Sequence, residues 1–192
     1  MKEAHEYLLW KELSRTEEMD CRIFRVVSSR RRSSSGKEGT FYLLDAPDWV
    51  TIVPLVKNTD GEQCFVMVRQ YRHGSMSITL EFPAGTVEDG EAPEETAARE
   101  LAEETGYTAS KLVPIGSVSP NPAFMNNTMH TFLATDCTNT LTQHLDEHEV
   151  VEVVLVPVSE ARERMGAGEY SNGIMLIALS YFERSRYGKE GI

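Results

Sequence analysis

Cysteine is scarce in this chain, and Cys21, Cys64 and Cys137 lie far apart. No two have the spacing of a zinc finger, and an odd number argues against a disulfide scaffold, so reduced thiols in a cytoplasmic protein are expected. There is no apolar run approaching the roughly 20 residues that a membrane-spanning helix needs. The stretch MKEAHEYLLWKELSRTEEMD is polar and acidic, which predicts no secretory leader. Positive charge is also in deficit: 19 Lys and Arg against 30 Asp and Glu leave a net charge of −11. That balance excludes a broad nucleic-acid-binding surface, whose affinity comes from cations on phosphates. A small phosphorylated ligand stays allowed, because a few arginines and bound metal ions can reverse the local field. The five histidines (His5, His73, His130, His144 and His148) lack the spacing of a metal site. With 192 residues, 41% hydrophobic and 26% charged, the composition is that of a folded domain with a sizeable core.

What the chain does have is concentrated in EFPAGTVEDGEAPEETAARELAEETGY, residues 81 to 107. Glu100, Glu103 and Glu104 stand at offsets of three and four. On an α-helix of about 3.6 residues per turn, such offsets put all three carboxylates on one face. Clustered like charges are costly unless a cation neutralises them, and Mg²⁺ characteristically combines carboxylates with substrate phosphates. Ala97, Ala98, Leu101 and Ala102 are expected to form the packed face of this helix. Gly106 is expected to end it as a C-cap. Pro83-Ala84-Gly85 is expected to turn so that the Ala84 carbonyl faces the metal.

Gly85, five residues, Glu91, seven residues, Arg99-Glu100-Leu101, then Glu103-Glu104 and Gly106: this spacing resembles the signature of the Nudix hydrolases at every fixed position. Tyr107 fills a final slot that is usually aliphatic. The resemblance implies an α/β fold, an α/β/α sandwich with a mixed β-sheet, and a Mg²⁺-dependent attack on a phosphoanhydride, with Mn²⁺ as the alternative ion. It implies metal ligation by Glu100, Glu103, Glu104 and the Ala84 carbonyl. Glu91 and Arg99, with Gly85 and Gly106, would hold loop and helix in register. The general base is expected in the loop Leu145–Glu149, at Glu147, with Glu149 as a further metal ligand. Glu103, Glu104 and Arg99 complete the expected catalytic set. His148 has a base's pKa but is flanked by acids, as in an exposed loop.

Val68-Arg69-Gln70-Tyr71-Arg72 ahead of Leu80–Gly85 looks like the branch of the family that acts on ADP-ribose and nucleoside-diphosphate sugars. Arg72, and more weakly Arg69, would then bind the diphosphate, since guanidinium presents a fork to phosphate. Glu81 would accept from a ribose hydroxyl, and Asn126, in the loop 119–127, would donate to sugar hydroxyls. In that loop the branch carries Ser-Pro-Gly and a Glu, where this chain has Asn-Pro-Ala and Asn-Asn. Phe41, Tyr42 and Trp49, in the N-terminal hairpin region, are the candidate aromatic platforms for the base, Phe41 first among them. Products would be a nucleoside monophosphate and a sugar phosphate. Triphosphates, dinucleoside polyphosphates or coenzyme A remain alternative substrates, and a non-catalytic nucleotide-sugar sensor is a reading of another class.

Along the chain, residues 1–20 read as a short helix or irregular arm, 21–29 and 40–45 as a hairpin joined by a polar turn at 30–37. Strands are expected at 50–56, 64–70, 77–82, 111–118, 128–135 and 150–157. A helix capped by Ser159 and a second at 173–184 close the chain. Residues 1–47 are expected as an N-terminal arm and β-hairpin extension that dimerises, and 48–192 as the hydrolase domain.

Overall fold

The computed structural model describes residues 3–145 and 149–187. By compactness it divides into two units, one of Met1–Pro47 with Ser119–Thr128, the other of Asp48–Val118 with Met129–Ile192.

The first unit begins with a 3₁₀ turn at Glu3–Leu8 and holds an antiparallel three-stranded sheet, β1 (Trp10–Asp20), β2 (Arg25–Ser33) and β3 (Glu38–Asp45), in that order. The expected helix or arm over residues 1–20 is thus largely a strand. Cross-strand pairing overrides local propensity: β1 is rich in acids and β2 in arginines. Glu12 stands opposite Arg31, accepts a 2.5 Å hydrogen bond from Ser29, and lies 3.7 Å from the Arg31 guanidinium. Arg30, Arg31 and Arg32, expected in a turn, belong to β2, and Arg30 and Arg32 both pair with Glu38. Residues 21–24, expected within a strand, form the β1–β2 turn, with Arg22 at φ 68°.

The second unit is built on a seven-stranded sheet: β4 (Trp49–Lys57), β5 (Gln63–Arg72), β6 (Ser77–Glu81), β7 (Ala84–Thr86), β8 (Tyr107–Val118), β9 (Met129–Asn139) and β10 (Val151–Pro157). Its main path runs β10-β5-β4-β9-β8, with β6 on β5 and β7 on β4. β4 and β9 are parallel and the other pairings antiparallel, so the sheet is mixed as expected. The Asn58–Gly61 segment makes the β4–β5 hairpin, where the Asn58 side chain accepts from the Asp60 and Glu62 amides at 3.0 and 2.9 Å.

Alternation along β4 sends its apolar side chains to two faces. Val50 and Ile52 pack with Phe132, Ala134 and the helix residues Ala97 and Leu101. Val53 packs on the other face with Phe65, Phe82, Ala178 and Phe182. Helix α1 (Pro93–Thr105) therefore covers one face, while α2 (Val158–Arg164) and α3 (Gly173–Tyr187) cover the other. This is the α/β/α sandwich, and burial on both faces explains the near-continuous apolar runs of β4 and β5.

Three local expectations are corrected. Ala84–Thr86 is a short strand paired with β4 rather than a free turn, and the Pro83 carbonyl accepts from the Ile52 amide at 2.9 Å. Helix α2 starts straight out of β10 with Pro157 at its N-cap, so Ser159 lies inside it. On α1 the buried stripe is Thr96, Ala97, Leu101, Glu104 and Thr105, while Ala98 is exposed. Gly106 does end the helix, at φ 73° with its amide donating to the Ala102 carbonyl at 2.8 Å.

Phe65 meets Phe82 and Phe182 edge-on at 5.1 and 5.0 Å between ring centres and is fully buried. Phe65→Ala is expected to cost about 3–5 kcal/mol, read as a shift of the urea midpoint without a change of slope.

Candidate active site

The site is organised by what α1 buries. Glu104 falls on the packed stripe with Ala97 and Leu101 and is only 5% exposed. Its carboxylate accepts a hydrogen bond from the Ala84 amide at 3.1 Å, which joins helix to β7. Burial pushes its pKa up to about 8, the Ala84 amide opposing and the charge of Glu100 and Glu149 adding to the rise. One turn earlier, burial pushes Glu100 up to about 7 against the pull of Arg99. Glu100 lies directly over Gly85: a Cβ at position 85 would overlap the Glu100 carboxyl group, so only glycine leaves it room. Glu103, at the same face, is the more exposed of the three.

Arg99 holds this cluster together. Its Nε and Nη2 donate to the two oxygens of Glu91, each at 3.0 Å, in a bidentate fork. Its Nη1 donates to Glu100 at 2.9 Å and Glu103 at 3.0 Å. The fork from Arg99, helped by the Thr96 hydroxyl at 2.7 Å, brings the Glu91 carboxyl down to about 2. Glu91, in the loop before α1, is thereby locked to the helix face that carries the carboxylates. Thr96 was not singled out in the sequence; nothing in a Glu-Glu-Thr-Ala run distinguishes a buried threonine that donates to a loop acid.

Arg72, itself exposed, is paired with the fully buried Glu81. Arg72 donates to Glu81 from Nε at 3.0 Å and Nη2 at 2.7 Å, and Thr79 donates to Glu81 at 2.6 Å. Burial raises the Glu81 pKa, but the bonds and charge of Arg72 outweigh it and hold the carboxyl below its usual range. The charges of Glu104 and Glu149 add a smaller part to that of Glu81 in raising the Arg72 pKa. Its Nη1 makes no hydrogen bond among the described residues, so part of the fork remains for a ligand. Glu81, fully buried and engaged by Arg72, faces protein partners here. Arg69 sits opposite Glu152 across β5–β10 and pairs with it at 2.5 Å and with Glu169 at 3.2 Å.

Of the remaining expected residues, Glu149 acts electrostatically on Glu100, Glu104 and Arg72. Glu147 and His148 lie outside the described residues. Phe41 and Asn126 belong to the first unit. Phe41 is half-exposed and packs edge-on against Trp10 with ring centres 5.2 Å apart. Asn126 donates to Asp45 and accepts from the Ala46 amide at 3.2 Å, so both ends of its amide are engaged.

As a metal site the donor set is chemically apt: carboxylate oxygens, two of them raised by burial in a way that a cation would relieve. Among the described residues no three acidic, histidine or cysteine side chains close round one point. Mg²⁺ does not require such a cage, because it keeps waters and takes substrate oxygens beside one or two carboxylates.

A NUDIX domain model matches residues 47–174. The chain belongs to the Nudix family. It is 35% identical over 150 residues to the ADP-ribose pyrophosphatase of Bacillus subtilis (strain 168), covering 78% of this chain and 79% of that one. It is 35% identical over 125 residues to the ADP-sugar pyrophosphatase of Mus musculus, covering 62% of this chain and 57% of the relative. Among solved structures, one described as an ADP compounds hydrolase superposes with a TM-score of 0.80 at 25% identity, covering 96% of this chain and 97% of that one. The Nudix box is thus the clamped α1 unit described above.

The two raised carboxyls have a consequence for stability. Each is near 4.5 when unperturbed and near 7 or 8 when folded, so the folded state holds more protons between those values. Without divalent cations, the stability that Glu100 and Glu104 contribute is therefore expected to be fully present near pH 4.5 and to be lost as pH rises to about 8, while Glu91, held down by Arg99, loses its contribution as pH falls below 4.5. Thermal melts in EDTA across that range check this, and Glu104→Gln should flatten the dependence.

Proposed function

We propose that this Nudix protein hydrolyses the diphosphate of ADP-ribose or a related nucleotide sugar, releasing a nucleoside monophosphate and a sugar phosphate. The observation that carries this is the intact carboxylate helix, with Glu100 seated over Gly85, Glu104 tied to the Ala84 amide and Arg99 forked onto Glu91. Relatives that bear the names ADP-ribose pyrophosphatase and ADP-sugar pyrophosphatase support the substrate class.

Glu100, Glu103 and Glu104, with the Ala84 carbonyl, would hold divalent cations, Mg²⁺ or Mn²⁺, with Glu149 as a further ligand. When bound, such ions would neutralise charge on the diphosphate and make a coordinated water more acidic, so that a base can take its proton. The chain's own residues do the rest. Arg99 is no proton donor or acceptor at any ordinary pH; it keeps Glu91, Glu100 and Glu103 aligned. Arg72 offers its unused guanidinium edge to the diphosphate while Glu81 fixes its plane. Glu147 takes the proton from the attacking water. Support comes from its flanks: the His144 amide is bonded to the Glu103 carbonyl, and Glu149 acts on the α1 carboxylates. Arg69, paired with two acids, is a weaker phosphate ligand.

The first unit is proposed as a homodimer surface, because Leu8, Leu9, Met19, Ile23 and Tyr42 are exposed on it. Three free cysteines fit a reducing, cytoplasmic location. No helix among the described residues is long and apolar enough to cross a membrane.

Release of monophosphate from a nucleotide panel, with Mg²⁺ and with EDTA, tests the function. Metal-dependent cleavage of ADP-ribose or another nucleotide sugar above triphosphates is expected. Cleavage of triphosphates, dinucleoside polyphosphates or coenzyme A alone would overturn the substrate class, and no turnover at all would favour a sensor. Glu104→Gln should lower kcat at least about 100-fold with the fold intact by circular dichroism. Arg72→Lys, which keeps the charge and loses the fork, should raise KM roughly tenfold, about 1.4 kcal/mol.

A further inference from the structure

An α-helix leaves its last carbonyls without partners, and each must find one. At the end of α1, the Gly106 amide takes the Ala102 carbonyl and the Thr105 hydroxyl takes that of Leu101. The carbonyls of Glu103 and Glu104, whose side chains make up the carboxylate cluster, are taken by the segment that follows β9. The His144 amide donates to the Glu103 carbonyl at 2.9 Å, and Gln143 Nε2 donates to the Glu104 carbonyl at 2.6 Å. The same Nε2 reaches the carbonyl of Val151, the first residue of β10, at 3.5 Å. Both partners are carbonyls, which only accept, so the amide NH₂ must face them. The Thr140 and Leu141 amides add bonds to the Gly106 carbonyl at 3.2 and 3.1 Å.

One side chain therefore joins the last turn of α1 to the start of β10, on either side of the stretch that carries Glu149. Gln143 itself is half-buried and touches neither the carboxylate oxygens nor Arg72 among the described contacts.

We propose that Gln143 is a positioning residue of the hydrolytic site: its amide couples the backbone of the last turn of α1 to the entry of β10 and so holds Glu103 and Glu104 in place on the carboxylate face. This depends on α1 being the hydrolytic centre. The donor matters more than the bulk, since leucine fills the same space without bonding either carbonyl. Glutamate would set an acceptor against two acceptors.

The test uses the full chain as Gln143→Leu and Gln143→Glu, with wild type and Glu104→Gln alongside. On ADP-ribose with Mg²⁺, both Gln143 variants should lose about 10–100-fold in kcat with KM within about twofold, the range seen when a residue that orients a metal site is lost. Amide exchange by NMR gives a readout independent of turnover: the His144 amide should lose protection at least about tenfold, while amides in the middle of α1 keep theirs. A lower Tm with unchanged kcat would make Gln143 merely structural and overturn the proposal. So would a Gln143→Glu variant that matches wild type, or unchanged protection at His144. Wild type without turnover on any nucleotide would instead overturn the hydrolase reading itself, whereas an active wild type with unaffected variants overturns only the role of Gln143.

Discussion

Burial of acidic side chains on the packed stripe of α1 is the constraint to which the rest of the second unit answers. A carboxylate removed from water is unstable unless it is protonated, hydrogen-bonded or paired with a cation. Glu104 is 5% exposed and finds one backbone amide; Glu100 lies over Gly85 and leans on Arg99. Such an arrangement would be selected against in a helix that only had to be stable, because apolar residues on that stripe would pack without penalty. It persists where the strain has a use, and a cluster that gains from binding divalent cations is such a use.

The supporting parts follow from holding that cluster still. Glu91 must reach back from the loop to Arg99, so the loop is drawn onto the helix. β7 must present the Ala84 amide to Glu104, so Ala84–Thr86 is ordered as a strand on β4. β4 is paired with β9 on its other edge and lies beneath α1, with apolar side chains buried on both faces. At the far end, Gln143 and His144 close the helix from the next loop, so both termini of the carboxylate stretch are anchored to separate parts of the sheet. Preorganisation of this kind means that little reordering is left to be done when a charged ligand arrives.

Much of this was legible beforehand because it depends on local spacing. Offsets of three and four put Glu100, Glu103 and Glu104 together, the glycine at 106 ended the helix, and apolar runs bounded by turn residues marked β4, β5, β9 and β10 with errors of a few residues. Failures came where distant partners decide. β1 has no buried residue and no strand-like pattern; it is a strand because β2 offers arginines and serines across from its acids. Ala98, expected on the packed face, is exposed, and Glu104 is buried while remaining in the carboxylate cluster, since the rotation of α1 is set by what lies beneath it rather than by apolarity alone. Ser159 has the chemistry of a cap, yet the helix begins earlier because β10 runs directly into it.

The sequence by itself determined the helix, its carboxylate face and most of the main strands, because these rest on residue type and short-range periodicity. Only the tertiary structure decided which acids are buried, that Arg72 spends two of its donors on Glu81 while Arg69 is engaged by Glu152 and Glu169, and that an unremarkable glutamine joins α1 to β10. Hydrogen bonds and burial between residues tens of positions apart are set by how strands and helices pack, and no local pattern carries that information.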